Sequence, residues 1–71
     1  MNKVTLAGAR VSAGLKQGEM ADILGISRAT LSRWETGKEG IRPIHLYAIC
    51  HITGFSESDI LLPSNITKSN I

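Results

Sequence analysis

The sequence predicts an all-α fold, a compact bundle of five short helices. Two observations lead to this expectation. Apolar residues recur at helical spacing within short segments, and no segment alternates apolar and polar residues over the length of a strand. Glycines punctuate the sequence at Gly14, Gly18, Gly25, Gly37, Gly40 and Gly54, and all but Gly18 lie between these segments. We therefore expect helices joined by tight turns and no β-sheet.

Glycines and a capping residue set the ends of the first three predicted helices, which cover about residues 4–13, 17–24 and 27–36. Ser27 suits the N-terminus of the third helix because its hydroxyl can accept a backbone N–H. Gly37 suits the position after that helix, where the backbone is often left-handed. Gly18 is unusual because it lies inside the second predicted helix, where a glycine costs about 1 kcal/mol relative to alanine.

Proline and glycine mark the fourth predicted helix. Pro43 favours the first helical turn and Gly54 ends the segment, so this helix covers about residues 43–53. The segment ESDILL, residues 57–62, predicts a short fifth helix. We assign residues 1–62 to a single domain and residues 63–71 to a polar tail.

The composition limits the class of protein. A hydrophobic fraction of 42% in 71 residues is enough for one small folded core and argues against wholesale disorder. The apolar runs are too short to cross a bilayer, and the N-terminus is a poor signal peptide. The single cysteine, Cys50, excludes an internal disulfide and fits a reducing compartment. We therefore expect a cytoplasmic protein, associated with the nucleoid if it binds DNA, and no membrane partner.

Basic residues are unevenly distributed, although the net charge is only +2. One group precedes residue 17 and contains no acidic residue: Lys3, Arg10 and Lys16. A second group outnumbers the acidic residues between positions 27 and 42: Arg28, Arg33, Lys38 and Arg42. A locally basic face on a nearly neutral protein fits either a nucleic-acid-binding surface or a chance scatter of charges.

The second and third predicted helices have the layout of a helix-turn-helix. A turn of three or four residues around Gly25 separates them, and glycine there tolerates a left-handed backbone. Ala21 lets the two helices cross closely, and Ile26 fills the space between them. In this motif the second helix enters the major groove of DNA. The outward side of the predicted third helix is small, hydroxylated and cationic, which fits a helix that meets a negatively charged partner.

The segments LKQGEMADILGISRATLSRWETGK and LYAICHITGFSESDILL resemble the Cro and cI-type phage repressor domains, also called XRE-type regulators, over about residues 5–62. The resemblance implies a lambda-repressor-like fold that binds double-stranded DNA. It implies that Gln17 lies near a DNA phosphate. It also implies a buried ion pair between Arg10 and Glu35. The position of Arg10 on the apolar side of the first helix and the inward lean of Glu35 favour that pair.

The outward side of the third helix supplies four candidates for reading bases: Arg28, Ala29, Ser32 and Arg33. An arginine can bind the O6 and N7 atoms of guanine, and an alanine can contact the methyl group of thymine. A serine can bond to a base edge or to a phosphate. Alternatively, the two arginines are only solvated surface residues. The two small residues could likewise be present only because they fit a helix.

A second set of residues is predicted to contact phosphates: Lys16, Gln17, Thr36, Lys38 and Arg42. Contacts of this kind position a protein on DNA without specifying the sequence. Arg42 precedes Pro43 in a loop, so it can lie along a phosphate, reach into a minor groove or do neither.

The sequence carries no motif of a catalytic, cofactor or metal site. Cys50 and His51 are adjacent, so on a helix they point about 100° apart and do not readily share an ion. We therefore predict that Cys50 and Trp34 lie in the core and that His45 and His51 lie at the surface. We expect no enzyme activity.

These observations predict a phage or bacterial transcriptional regulator, a small Cro-like repressor that reads an operator with its third helix. We expect a homodimer, because one short helix reads too few base pairs for useful selectivity. Two alternatives remain open. The protein could be an antitoxin that represses its own operon and binds a toxin partner, or a protein-interaction module whose helix-turn-helix no longer reads bases.

Overall fold

The computed structural model describes residues 3–62, and within them the secondary structure is mostly helical. Four α-helices follow one another: α1 at Leu6–Ser12, α2 at Gln17–Leu24, α3 at Arg28–Thr36 and α4 at Pro43–Thr53. A single 3-10 turn covers Glu57–Asp59, and two strands, β1 at Val4–Thr5 and β2 at Ile60–Leu61, form a parallel pair. The predicted polar tail, residues 63–71, lies outside the described residues. No helix in the described part is long and apolar enough to cross a membrane.

The ends of α2 and α3 confirm the predicted helix-turn-helix. Ser27 Oγ accepts the backbone N–H of Thr30 at 3.0 Å, which caps α3, and Gly37 ends the helix with a left-handed φ of 82°. Gly25 ends α2 in the same way, with a φ of 73°. At the other end of α2, the Glu19 carboxylate accepts the backbone N–H of Lys16 at 2.7 Å. Local capping therefore fixes both helices of the motif.

The expected fifth helix and the expected absence of a sheet are both wrong. The segment at 57–62 makes one 3-10 turn and then becomes extended as β2. Ile60 pairs with Val4, and Leu61 pairs with Thr5. The extended backbone sends successive side chains to opposite sides, so Ile60 is buried while Leu61 remains exposed. Pairing with β1 satisfies the backbone groups of this segment as it enters the core.

The N-terminus of α1 lies two residues later than predicted. The helix begins at Leu6, because Val4 and Thr5 belong to β1. Thr5 also caps the helix: its Oγ1 accepts the backbone N–H of Gly8 at 2.9 Å. One residue thus ends the strand and starts the helix.

One hydrophobic core holds the helices together, and every α-helix contributes to it. Its buried members are Leu6, Ala9, Met20, Ala21, Leu31, Trp34, Ile41, Leu46, Ile49 and Ile60. Trp34 is only 3% exposed, as predicted for a core residue. Burying a large apolar side chain of this kind contributes about 1.5–3 kcal/mol relative to leaving it exposed. The inner sides of α2 and α3 are therefore fixed by packing, and their outer sides are left for other contacts.

Cys50 and His45 show how α4 meets this core. Cys50 packs partly buried against it. Burial raises the pKa of the Cys50 thiol, and the charges of Glu57 and Asp59 raise it further, so the thiol stays protonated at neutral pH. The prediction that His45 lies at the surface is wrong. Its ring is half-buried, with its centroid 4.9 Å from that of Trp34, because the first turn of α4 packs beside the end of α3. His51 is exposed, as predicted.

Gly18 is expected to weaken α2. An added Cβ at this residue would meet no atom of residues 3–62 within 4 Å, and its backbone is helical rather than left-handed. We expect Gly18→Ala to raise the free energy of unfolding by about 0.5–1 kcal/mol. For a domain of this size, each 1 kcal/mol shifts the Tm by about 4–8 °C, which thermal melting resolves.

Gly25→Ala is the matched control for that substitution. It adds the same methyl group, again with no atom of the described residues within 4 Å, but at a residue whose φ is 73°. Left-handed backbone costs alanine about 1–2 kcal/mol, so this variant should melt at a lower temperature than the parent. A fall in the Tm of Gly18→Ala would contradict the expectation for α2.

Candidate nucleic-acid interface

The outward side of α3 carries the four residues predicted to read bases. Arg28, Ala29 and Arg33 are exposed, and Ser32 is half-buried. Their spacing along the helix makes them neighbours on one side, while Leu31 and Trp34 occupy the other side and are buried. The four side chains thus form one surface, and the core on the opposite side fixes its orientation.

The residues predicted to contact phosphates lie at the ends of helices around this surface. Lys16 directly precedes α2, and Gln17 is its first residue. Thr36 is the last residue of α3, Lys38 follows in the next loop, and Arg42 directly precedes α4. The three cationic residues are all exposed. An open depression between α2 and the start of α3 is lined in part by Lys16, Gln17, Gly18 and Arg28.

The hydroxyl of Thr36 is already engaged in the structure. Its Oγ1 donates to the carbonyl oxygen of Ser32 at 3.0 Å. A hydroxyl has one proton to donate, so Thr36 can donate to a phosphate only after this bond breaks. Among the predicted phosphate contacts, the exposed cations are better suited to meet DNA than Thr36.

Arg10 and Glu35 form an ion pair beneath this surface. Arg10 Nε donates to Glu35 Oε2 at 2.7 Å and Nη2 donates to Oε1 at 3.3 Å. The side chains are 14% and 6% exposed respectively. Arg10 Nη1 also donates to the carbonyl oxygen of Leu15 at 3.0 Å. The pair therefore joins α1, the loop before α2 and the end of α3.

Gln17 connects this ion pair to the outward side of α3. Its Nε2 donates to Glu35 Oε1 at 2.9 Å. Its Oε1 accepts from Arg28 Nε at 3.2 Å. A polar chain therefore runs from Arg10 through Glu35 and Gln17 to Arg28. The sequence predicts only a phosphate contact for Gln17, because this link depends on helix packing rather than on spacing.

Arg33 is held by two side chains of different segments. Its Nε donates to Glu39 Oε1 at 2.8 Å, and its Nη2 donates to Thr30 Oγ1 at 3.2 Å. The Arg33 and Glu39 side chains are 48% and 46% exposed, so water screens this pair. Neither partner of Arg33 is predicted from the sequence. Glu39 lies six residues after Arg33 and beyond the end of α3, where the i, i+4 rule for helix pairs gives no signal.

The charges around Glu39 favour its ionised form. The Arg33 guanidinium lowers the pKa of the Glu39 carboxyl through its hydrogen bond and its charge, and the charge of Arg42 lowers it further. Glu39 is therefore anionic at neutral pH and available to hold Arg33.

Within residues 3–62, no group of three His, Cys, Asp or Glu side chains is arranged to hold a metal ion. The side chains of this surface are suited to recognition by hydrogen bonds and charge. Cationic donors and a small residue face outward, beside helix ends that carry further cations. Hydrogen-bond donors of this kind fit the acceptors of base edges and phosphates.

Neither a curated protein nor a solved structure matches the chain. A family model, described as helix-turn-helix, matches residues 6–60. The matched range includes all four α-helices and the 3-10 turn. The chain therefore belongs to the Cro/cI-type, or XRE, helix-turn-helix family and is a DNA-binding transcription regulator of that type.

Proposed function

We propose that this protein is a small Cro-like repressor that binds its operator as a homodimer and reads bases with the outward side of α3. The observation that carries the proposal is the division of α3 into two sides. Leu31 and Trp34 are used to build the core, whereas Arg28, Ala29 and Arg33 are exposed. Two arginines beside an alanine provide donors for guanine and a methyl group for thymine.

The cations near α3 support a contact with DNA phosphates. Lys16 and Lys38 are exposed and form no salt bridge within residues 3–62. Arg42 is exposed at the start of α4. Cations that no acidic side chain neutralises can replace the counterions of DNA and so add affinity for any sequence.

The length of α3 supports a dimer. Its nine residues span about 13 Å at about 1.5 Å per residue, which covers only about four base pairs. Two copies of the chain would read two half-sites about one helical turn apart, as dimeric helix-turn-helix proteins do. Twice the contacts on one duplex would give the selectivity that one helix lacks.

Arg28→Ala and Arg33→Ala are expected to relax the preference for particular base pairs. Each should cost about 1–3 kcal/mol of discrimination, because a bidentate contact between arginine and guanine is lost. The test starts from a duplex selected from random DNA with the parent protein. Affinities for that duplex and for its single-base-pair variants then give the preference at each position.

Lys38→Ala is the matched control for the two arginine variants. It removes a cation assigned to a phosphate, so it should weaken binding to all these duplexes by a similar factor. If both arginine variants keep the full preference of the parent, α3 does not read bases through them. If the parent selects no sequence at all, the protein is an interaction module rather than a repressor. A toxin that co-purifies with a sequence-selective protein would identify an antitoxin.

A further inference from the structure

Glu39 contacts a predicted base-reading arginine from outside the helix-turn-helix. It lies in the loop between α3 and α4, and its Oε1 accepts from Arg33 Nε at 2.8 Å. Thr30, one turn before Arg33 on α3, accepts from Arg33 Nη2 at 3.2 Å. The guanidinium is therefore held from the loop and from its own helix.

The two bonds use two of the N–H groups of the Arg33 guanidinium. A guanidinium presents five N–H groups in a rigid plane, and Nε and Nη2 share its side edge. Neither Glu39 nor Thr30 accepts from Nη1, so both N–H groups of Nη1 and one N–H group of Nη2 remain. The end edge of a guanidinium, formed by Nη1 and Nη2, presents two parallel donors of the kind that guanine O6 and N7 require.

We propose that Glu39 is a positioning residue that, together with Thr30, orients the Arg33 guanidinium for bidentate contact with a guanine. This inference rests on the proposed function, since it assumes that Arg33 reads a base. It adds a residue of the α3–α4 loop to the determinants of specificity. Glu39 itself touches no base in this arrangement and acts through Arg33.

Both groups that hold Arg33 are themselves held in place. Thr30 donates its backbone N–H to Ser27 Oγ at 3.0 Å, and the two hydroxyls are 2.9 Å apart. Glu39 is held through its backbone, whose N–H donates to the carbonyl oxygen of Arg33 at 3.2 Å. Because a fixed side chain loses less conformational freedom on binding, the arrangement favours the productive orientation of Arg33 over its other rotamers.

The test compares Glu39→Gln with the parent on a duplex selected from random DNA by the parent protein. We expect Glu39→Gln to lower the preference for the base pair that Arg33→Ala identifies, by about 2- to 10-fold, the range for ordering one side chain in advance. Preferences at the other base pairs should not change. In the Arg33→Ala background, Glu39→Gln should have no further effect on preference, because the side chain it orients is absent.

Two control variants distinguish the effect of the Glu39–Arg33 contact from the effect of a negative charge on the protein. Glu39→Asp keeps the charge but shortens the side chain, so it should lower the same preference if the reach to Arg33 matters. Glu57→Gln removes an exposed carboxylate from the 3-10 turn and should leave every preference intact. Should Glu39→Gln tighten binding to all duplexes by the same factor, Glu39 only repels DNA, and the proposal is overturned. An unchanged preference would also overturn it.

A titration without DNA tests the contact itself. Because the pKa of Glu39 is depressed below its ordinary value of 4.5, the charged contact is complete above that pH and is lost as the pH falls through the lowered pKa. The carboxyl carbon of Glu39, followed by NMR, should titrate below pH 4.5 in the parent and at higher pH in Arg33→Ala. Equal midpoints in the two proteins would mean that the pair does not form in solution.

These experiments distinguish failure of the inference from failure of the proposed function. If Arg33→Ala lowers a base preference and Glu39→Gln does not, the proposed repressor function stands and the proposed role of Glu39 is refuted. If Arg33→Ala alters no preference, Arg33 reads no base and both proposals fail at this residue.

Discussion

Replacing Glu35 with alanine is expected to lower the free energy of unfolding by about 3–5 kcal/mol, the usual effect of breaking a buried ion pair from one side. Glu35 is 6% exposed, and its partner Arg10 is 14% exposed. The substitution would leave the Arg10 charge buried without a counter-ion. It would also remove the acceptor of Gln17 Nε2, which lies 2.9 Å from Glu35 Oε1. Denaturant or thermal unfolding measures the loss.

Glu39→Ala is the matched control, since it removes the same side chain from the exposed pair with Arg33. Water screens that pair, so the control should change stability far less. Replacing both partners of the buried pair, as Arg10→Met with Glu35→Leu, should recover much of the loss, because neither charge then remains buried. A Glu35→Ala variant that melts like the parent would show that the pair contributes nothing to the fold.

Affinity for the selected operator is expected to fall about a thousandfold between about 50 and 200 mM salt. Lys16, Lys38 and Arg42 are exposed at positions suited to phosphates. In a dimer they supply about six contacts, and each contributes about −0.9 to the slope of log affinity against log salt concentration, which gives about −5. Binding of the full chain to one duplex across a salt series measures this slope.

Substitutions and stoichiometry sharpen the salt experiment. Lys38→Ala should flatten the slope by nearly 2, since symmetry removes two contacts from a dimer at once. Lys3→Ala removes the same charge from a residue assigned to no phosphate contact and should leave the slope unchanged. A slope of about −3 would indicate a single monomer on the duplex. A slope near zero would mean that this basic surface does not meet DNA.

The helix-turn-helix could be predicted from the sequence because short-range interactions set the ends of its helices. Gly25 is needed for the left-handed end of α2, and Ser27 for the cap of α3. The same holds for α4, which begins at Pro43 and ends before Gly54. Each signal acts over a few residues, so it can be read from the chain without knowing the tertiary structure.

Features that depend on distant residues could not be predicted in this way. Strands of two residues, such as β1 and β2, are too short to show alternation. The burial of His45 depends on where α4 packs against Trp34. The hydrogen-bond partners of Gln17 and Arg33 lie on segments that the tertiary fold brings together. The composition of the sequence does not indicate which segments meet.

The pairing of Val4 with Ile60 has a consequence for the order of folding. It joins segments near the two ends of the described chain, whereas α2 and α3 meet across a short turn. Closing so long a loop costs more chain entropy than closing a turn, so the strand pair is expected to form after the helices have collapsed. Contacts made after the rate-limiting barrier barely change the folding rate but slow unfolding. We therefore expect the two-stranded sheet to slow unfolding and so to prolong the lifetime of the folded state, while the helices assemble without it.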